Sequence, residues 1–260
     1  MPYAHRLQSS RFELKYVIHP SLVRPVREFT LSYLEPDEHA DPKDNWEYPV
    51  HSLYLDSPTL ALARATIQGH KNRFKLRIRF YDHKPESPVF FEIKRRVSDV
   101  ILKRRANVKR SALPGLLAGE LPRREYLTKA DADDGEFGAL QQFCSLRDML
   151  RADGQAYVSY KREAYVTPND NSVRLTFDRK ISGTPYRGTF DLNNTHGAVY
   201  PRVNGTVLEL KFTDRFPNWM RQLVEVFDLE RRSMAKYVAC VLKLGNTPAH
   251  LLAHTQGIRL

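Results

Sequence analysis

Residues 73–80 (RFKLRIRF) constrain the fold more than any other stretch, because cations and hydrophobic residues alternate along them without a break. Successive side chains of a β-strand point to opposite faces, so this stretch predicts a strand with one apolar and one cationic face. The apolar face has to be buried in a core. The remaining sequence must therefore explain where the charges of Arg73, Lys75, Arg77 and Arg79 point.

Several other segments alternate in the same way and carry charge on one parity. They lie at residues 11–18, 89–94, 100–109, 156–165, 172–181 and 207–212. With residues 50–56 they predict about eight strands, mostly in neighbouring pairs. Closing an antiparallel sheet removes its exposed edges. We therefore expect an α+β fold, a closed antiparallel eight-stranded β-barrel flanked by helices, in a single domain over residues 1–260 with its core at about 9–245.

The direction of the charged faces follows from the helices. The segment at about 216–229 has an apolar stripe that includes Leu223, Val226 and Phe227. Such a stripe needs an apolar surface to cover, and a barrel with a charged exterior offers none. This favours a barrel with apolar side chains outside, under the helices, and charged side chains lining the lumen.

Charge and cysteine content narrow the partners and the compartment. A net charge of +11 with a pI near 9.6 indicates an anionic partner: nucleic acid, an anionic membrane or a phosphorylated small molecule. Cys144 and Cys240 lack a CxxC spacing and are expected to be free and buried in a reducing compartment. The N-terminal sequence lacks a signal-peptide core, and no run of about 18 apolar residues occurs. We therefore expect a cytoplasmic protein without a transmembrane segment.

A cationic lumen predicts a polyanionic occupant. Two like charges about 4 Å apart repel by ~4 kcal/mol at an effective dielectric of 20, so an empty lumen of this kind is costly. Same-face carboxylates could hold Mg²⁺ or Mn²⁺ that bridges phosphate oxygens, or could pair with lysines of their own strands. Pairing is favoured for Glu13, whereas both roles stay open for Glu209. The same-strand pairs would be Glu13–Lys15, Glu92–Lys94 and Glu209–Lys211.

Short motifs occur in a fixed order along residues 9–245: RFELKY, SLYLDS, KLRIRFY, EIKRR followed by VILKRR, YKREAY, VRLTFDR, VLELKF and SMAKY. This ordered set resembles the VTC (vacuolar transporter chaperone) polyphosphate polymerase domain, within the CYTH/triphosphate tunnel metalloenzyme superfamily. The resemblance implies a tunnel of antiparallel strands that makes polyphosphate from ATP with a divalent metal, Mn²⁺ or Mg²⁺. Arg11 occupies the first acidic position of the ExExK motif of the superfamily's hydrolases and cyclases, which suits the VTC branch.

The resemblance also implies residue roles. Glu209 would bind the metal, and Tyr160 and Ser233 would lie beside the phosphate path. Arg105 and Lys211 share the cationic parity and are added to the predicted phosphate-binding set. The phosphate contacts implied by the motifs are Lys15, Arg77, Arg79, Lys94, Lys103, Arg162, Arg174 and Lys236. The residues expected to act in catalysis are Arg77, Arg79, Lys94, Arg174, Glu209 and Lys236.

Three functions remain open at this point. The first is transfer of the ATP γ-phosphate to a growing inorganic polyphosphate chain, which needs positioning and charge neutralisation rather than a general base. The others are hydrolysis of tripolyphosphate or polyphosphate on the same tunnel, and non-catalytic polyphosphate binding. Nucleic acid is disfavoured, because a duplex cannot enter a narrow barrel and the cationic face is expected to lack stacking aromatic rings. A membrane-protein partner and the oligomeric state are left open.

Overall fold

The computed structural model describes residues 10–129, 132–168, 170, 172–191, 196–232 and 234–245. Within this part of the chain, nine β-strands and six α-helices form. The strands are β1 (Ser10–Ile18), β2 (Glu35–Pro36), β3 (Glu47–Asp56), β4 (Asn72–Phe80), β5 (Val89–Val97), β6 (Val100–Val108), β7 (Asp153–Val166), β8 (Val173–Pro185) and β9 (Thr206–Phe212). The helices are α1 (Val23–Thr30), α2 (Ala61–Ile67), α3 (Leu113–Ala118), α4 (Asp134–Leu150), α5 (Asn218–Val226) and α6 (Lys236–Leu244).

All nine strands belong to one antiparallel sheet, in the order β2-β7-β3-β4-β5-β6-β1-β9-β8. β7 pairs with β3 and also with β8, so the sheet curves around an interior. The two-residue strand β2 pairs only with the end of β7, which leaves an edge of the sheet at β2. The predicted closed eight-stranded β-barrel is therefore wrong: the described residues form a nine-stranded sheet that keeps an edge. β2 was missed because two residues, one of them proline, have no periodicity to detect.

The apolar parity of the strands packs outwards under the helices, as predicted. Phe91 of β5 meets Phe143 of α4 with ring centroids 4.9 Å apart. Met220 and Leu223 of α5 are fully buried in a cluster with side chains of β1, β8 and β9. Truncating a buried phenylalanine of this kind typically costs about 3–5 kcal/mol, so these contacts hold the helices on the sheet. The assignment of residues 1–260 to a single domain stays a prediction.

Helix α6 is anchored at two points. A Cβ on Gly183 of β8 would lie 2.6 Å from the Cβ of Cys240, so the glycine lets α6 approach the sheet closely. Tyr237 donates a hydrogen bond of 3.0 Å to the buried carboxylate of Asp56, at the end of β3. Cys240 and Cys144 are both free and buried, as predicted. These contacts fix the start of α6, where Lys236 lies, against the interior of the sheet.

Among the described residues, no helix is both long enough and apolar enough to span a bilayer.

Candidate functional site

A cavity of about 600 Å³ lies inside the curve of the sheet. Among the residues that the structure describes, fifteen lysine and arginine side chains and four carboxylates line it. The charged parity of the strands thus faces inwards, as the alternation predicted. Ser233 lies outside the described residues. The other predicted site residues all line the cavity: Lys15, Arg77, Arg79, Lys94, Lys103, Arg105, Tyr160, Arg162, Arg174, Glu209, Lys211 and Lys236.

The strand register places Tyr54, Arg77, Glu92 and Arg105 opposite one another across β3, β4, β5 and β6. The Nε atoms of Arg77 and Arg105 each donate a hydrogen bond of 2.7 Å to Glu92, and Lys103 Nζ lies 2.8 Å from its Oε1. Burial would raise the pKa of Glu92, but Arg77 and the other cations hold that pKa well below its ordinary value. Glu92 is therefore a permanently charged anchor that orients three cations.

A second buried group, here called the carboxylate cluster, lies on β1, β7, β8, β9 and α6; it consists of Asp178, Glu209, Arg162, Lys236, Lys15 and Lys211. Arg162 donates two hydrogen bonds to Asp178, from Nε at 2.7 Å and from Nη2 at 2.8 Å. Lys236 bridges the two carboxylates, with Nζ 2.6 Å from Asp178 Oδ2 and 3.0 Å from Glu209 Oε1. Lys15 and Lys211 lie 3.3 and 2.7 Å from the oxygens of Glu209.

The charges of this cluster are set by burial and by the opposite charges around it. Burial would raise the pKa of Glu209, but Lys15 and its other cationic neighbours hold it well below the ordinary value. Burial would lower the pKa of Lys236, but Asp178 and Glu209 raise it instead. Lys211 differs, because burial lowers its pKa to about 7 despite the nearby Glu209. Glu209 is thus a carboxylate and Lys236 an ammonium group at neutral pH.

The inward ion pairs form mainly between strands. Lys94 Nζ donates to both oxygens of Glu13, at 2.7 and 2.8 Å. The predicted same-strand pairs Glu13–Lys15 and Glu92–Lys94 are therefore wrong, whereas the pair Glu209–Lys211 is confirmed at 2.7 Å. Glu13 of β1 and Lys94 of β5 are not on neighbouring strands, because β6 lies between them, so their long side chains reach each other across the inner face of β6.

The arginine at the start of β8 is held by a residue from a loop. Arg174 Nη2 forms an ion pair with Asp37 and a hydrogen bond of 3.0 Å with the hydroxyl of Tyr48. Asp37 lies in the polar segment before β3, where the sequence has no periodic pattern, and its role was not predicted. Arg174 therefore reaches the cavity with its direction already fixed by the buried Asp37 and the half-buried Tyr48.

Two cations of the cavity wall, Arg79 and Lys75, form no ion pair with a described carboxylate. Arg79 is only 7% exposed and donates to Tyr160 OH at 3.1 Å and Ser52 Oγ at 3.4 Å, both neutral groups. Burial, and then the charges of Lys15 and other cations, lower the pKa of Lys75 well below its ordinary value. Lys75 lines the cavity, as its parity with Arg77 predicted, but the motifs gave it no phosphate-binding role.

Aromatic rings also line the cavity, and the expectation that the cationic face lacks them is wrong. Phe90 stands opposite Arg79 on the neighbouring strand, and Arg105 lies over its ring at 4.5 Å from the centroid. The other rings in the lining include Tyr48, Tyr54, Tyr81, Tyr160 and Phe74. The error arose from assigning every large apolar side chain to the outer parity, although Phe90 shares the parity of Glu92.

The donor set around Glu209 limits how a metal could bind. Among the described residues, no group of three or more histidine, cysteine or acidic side chains could hold a metal ion. Mg²⁺ is commonly bound by one or two carboxylates together with substrate phosphates. Glu209 lines the cavity and keeps its charge because its pKa is lowered. Both of its oxygens pair with lysines, so it fits as a protein ligand of an ion that a phosphate chain brings with it and that displaces one of these pairs.

Comparison with protein-family models matches the VTC domain model to residues 10–244. Curated proteins yield no match to this sequence. Among solved structures, the PH1819 protein from Pyrococcus horikoshii OT3 is similar, with a TM-score of 0.42, 13% identity, and coverage of 88% of this chain and 94% of that one. A putative adenylate cyclase from Bacillus halodurans has a TM-score of 0.47, 12% identity, and coverage of 88% and 96%.

Proposed function

The chain belongs to the VTC domain family, and we propose from this membership that it is a polyphosphate polymerase that transfers the γ-phosphoryl group of ATP to a growing inorganic polyphosphate chain. Family membership supports an enzymatic function on polyphosphate or triphosphate. The observation that carries the proposal is the excess of cations, fifteen against four carboxylates, around a cavity of about 600 Å³. We further propose that this activity depends on Mn²⁺ or Mg²⁺.

Phosphate oxygens are the partners that this wall lacks. Arg79 donates hydrogen bonds only to hydroxyl groups, with Glu92 as a more distant opposite charge, and Lys75 lies among other cations. A guanidinium group can bind two phosphate oxygens at once, while an ammonium group acts as a point charge. A polyphosphate chain in the cavity would therefore satisfy these cations and remove their mutual repulsion.

The proposed step is an in-line phosphoryl transfer. A terminal oxygen of the polyphosphate chain attacks the γ-phosphorus of ATP and forms a new P–O–P bond. The bond between this phosphorus and the β–γ bridging oxygen breaks, and that oxygen leaves with ADP. The attacking oxygen is already anionic, so no proton has to be removed. Arg77, Arg79 and Lys236 would hold the oxygens on which charge develops.

The state of the nearby carboxylates argues against either of them as the general base of a hydrolase. Water needs a base, whereas Glu209 and Glu13 are held by cations that lower their pKa values. A carboxylate with a lowered pKa is a poor proton acceptor. Glu209 would instead hold Mn²⁺ or Mg²⁺, an ion that supplies positive charge to the phosphate oxygens when bound.

Product analysis tests the proposal. Purified protein is incubated with ATP and Mn²⁺ or Mg²⁺, and the products are separated by length. We expect ADP and long phosphate chains, and we expect Glu209→Gln to abolish metal-dependent turnover. The matched control is Glu225→Gln, which changes an exposed glutamate of α5 and should keep full activity. Release of inorganic phosphate from tripolyphosphate would identify a hydrolase, and binding without turnover a non-catalytic module.

A further inference from the structure

One end of the cavity is built from rings, here called the aromatic end: His39, Tyr48, Tyr81 and Phe90, with Asn107 beside them. Tyr81 contacts Phe90 edge to face at 5.6 Å between centroids, and His39 lies 6.1 Å from Tyr81 and 5.7 Å from Tyr48. The sheet register places Asn107 of β6 directly opposite Phe90 of β5. All five residues line the cavity.

The opposite end of the same wall has a different character. There Arg73 of β4 stands opposite Arg96 of β5, and Lys75 follows opposite Lys94. Arg73 and Arg79 are six residues apart along β4, which corresponds to about 20 Å at ~3.4 Å per residue. The cavity wall therefore runs from an end rich in cations to the aromatic end over a length sufficient for more than a single phosphate group.

Asn107 is unusual because part of its side chain is unpaired. Its backbone N–H donates to Glu136 Oε1 at 2.6 Å, and its backbone carbonyl accepts from Thr128 N at 3.0 Å. Its side-chain Oδ1 atom is buried and has no hydrogen-bond partner among the described residues. A buried amide oxygen without a partner costs free energy, so a ligand that donates to it would gain by pairing it. Asn107 lies on the inward parity, beside the rings.

We infer that the aromatic end holds the purine of the nucleotide and that Asn107 selects adenine over guanine, an inference that rests on the proposed use of a nucleoside triphosphate. Bases stack on aromatic rings and on guanidinium planes such as that of Arg105 over Phe90. An asparagine amide matches adenine, since its oxygen accepts from the exocyclic amine and its NH₂ donates to a ring nitrogen. Guanine presents a carbonyl oxygen in place of that amine. The triphosphate then extends from the base towards Arg79 and Arg77.

Calorimetric titration with ATP, GTP and tripolyphosphate, at one ionic strength, tests this assignment. We expect the wild-type protein to bind ATP about tenfold more tightly than GTP, which corresponds to about 1.4 kcal/mol. Asn107→Leu should weaken ATP binding about tenfold, to the level of GTP, and leave the Kd of tripolyphosphate unchanged. The matched control Asn72→Leu changes an exposed asparagine at the start of β4, far from the aromatic end, and should keep the ATP preference.

A second variant tests the same assignment if Asn107→Leu does not fold. Phe90→Leu should weaken ATP and GTP equally while sparing tripolyphosphate, because it removes stacking but no hydrogen bond. Equal wild-type affinities for ATP and GTP, or an ATP preference that survives Asn107→Leu, would overturn the assignment. Absence of tripolyphosphate binding to the wild-type protein would refute the proposed function instead, so the two failures are distinguishable.

Discussion

The carboxylate cluster and the pair Arg79 and Lys75 are two regions of one cavity that treat positive charge in opposite ways. In the cluster, each cation lies within 4 Å of Asp178 or Glu209, and both acids are almost fully buried. Arg79 has only hydroxyl partners, and Lys75 has cationic neighbours. In the first region two carboxylates are shared by four cations, so every cation has an ion-pair partner; in the second region neither cation has one among the described residues.

The difference indicates a division of labour within the cavity. Charges that are paired internally contribute to folding and hold their groups in place before any ligand arrives. Charges that are not paired cost stability in the free protein and gain most when an anion binds. Substitutions in the two regions should therefore separate folding from binding.

The largest effect is expected from Asp178→Asn. Asp178 is fully buried and holds both Arg162 and Lys236, so the substitution leaves two buried cations short of a partner. Breaking a buried ion pair on one side typically costs about 3–5 kcal/mol. Urea denaturation should show a loss of this size in the free energy of unfolding. The exposed Asp214→Asn should stay within about 0.5 kcal/mol of wild type. A stable Asp178→Asn variant would contradict the structural role of the cluster.

Arg79→Met should act mainly on binding. Hydrogen bonds to charged groups contribute about 1.5–3 kcal/mol, so tripolyphosphate should bind roughly tenfold to a hundredfold more weakly. The unfolding free energy should change by less than about 1 kcal/mol, because no ion pair is broken. Calorimetric titration and urea denaturation measure the two quantities. Arg215→Met, an exposed control, should leave both unchanged. Undiminished binding by Arg79→Met would remove Arg79 from the phosphate site.

The periodic part of the fold could be predicted from the sequence. Alternation along residues 73–80 and 207–212 indicated both the strands and the face on which their charges lie, because side-chain direction in a strand has a period of two. The apolar stripe with Leu223 then indicated that helices cover the outer face. These local rules placed the described cations of the predicted site in one cavity.

What could not be predicted depends on contacts between distant segments. The closed eight-stranded barrel was wrong because β2 has no pattern of its own and is formed only by pairing with β7. Asp37 was missed for the same reason. Parity indicates the face of Glu13 but not its partner, which proved to be Lys94 rather than Lys15. Lys94 lies on β5, which β6 separates from β1, so the contact depends on the order of three strands that no single segment encodes.

Lys211 provides a pH test inside the carboxylate cluster. Burial lowers its pKa from 10.5 to about 7, so between these values the unfolded chain binds a proton that the folded protein does not. The free energy of unfolding should therefore rise with pH from about 7 to 10.5, with a slope that corresponds to at most one proton taken up on unfolding. Urea denaturation at several pH values should show that Lys211→Met removes this contribution. Identical pH profiles would mean that Lys211 is charged throughout this range.

The smallest effect distinguishes the two regions by its sign. Lys75→Met keeps an unbranched side chain of similar length but removes an amine whose charged form is opposed by burial and by Lys15, Lys94, Arg73 and Arg77. Because no carboxylate partner is lost, the free protein should become more stable by up to about 1 kcal/mol, whereas Asp178→Asn makes it less stable. The same variant should bind tripolyphosphate more weakly, since one point charge is missing from the wall. Denaturation without ligand and titration with tripolyphosphate measure these opposite changes on one protein. A Lys75→Met variant that loses stability would show that Lys75 contributes to the folded state as the carboxylate cluster does, and the contrast between the two regions would fail.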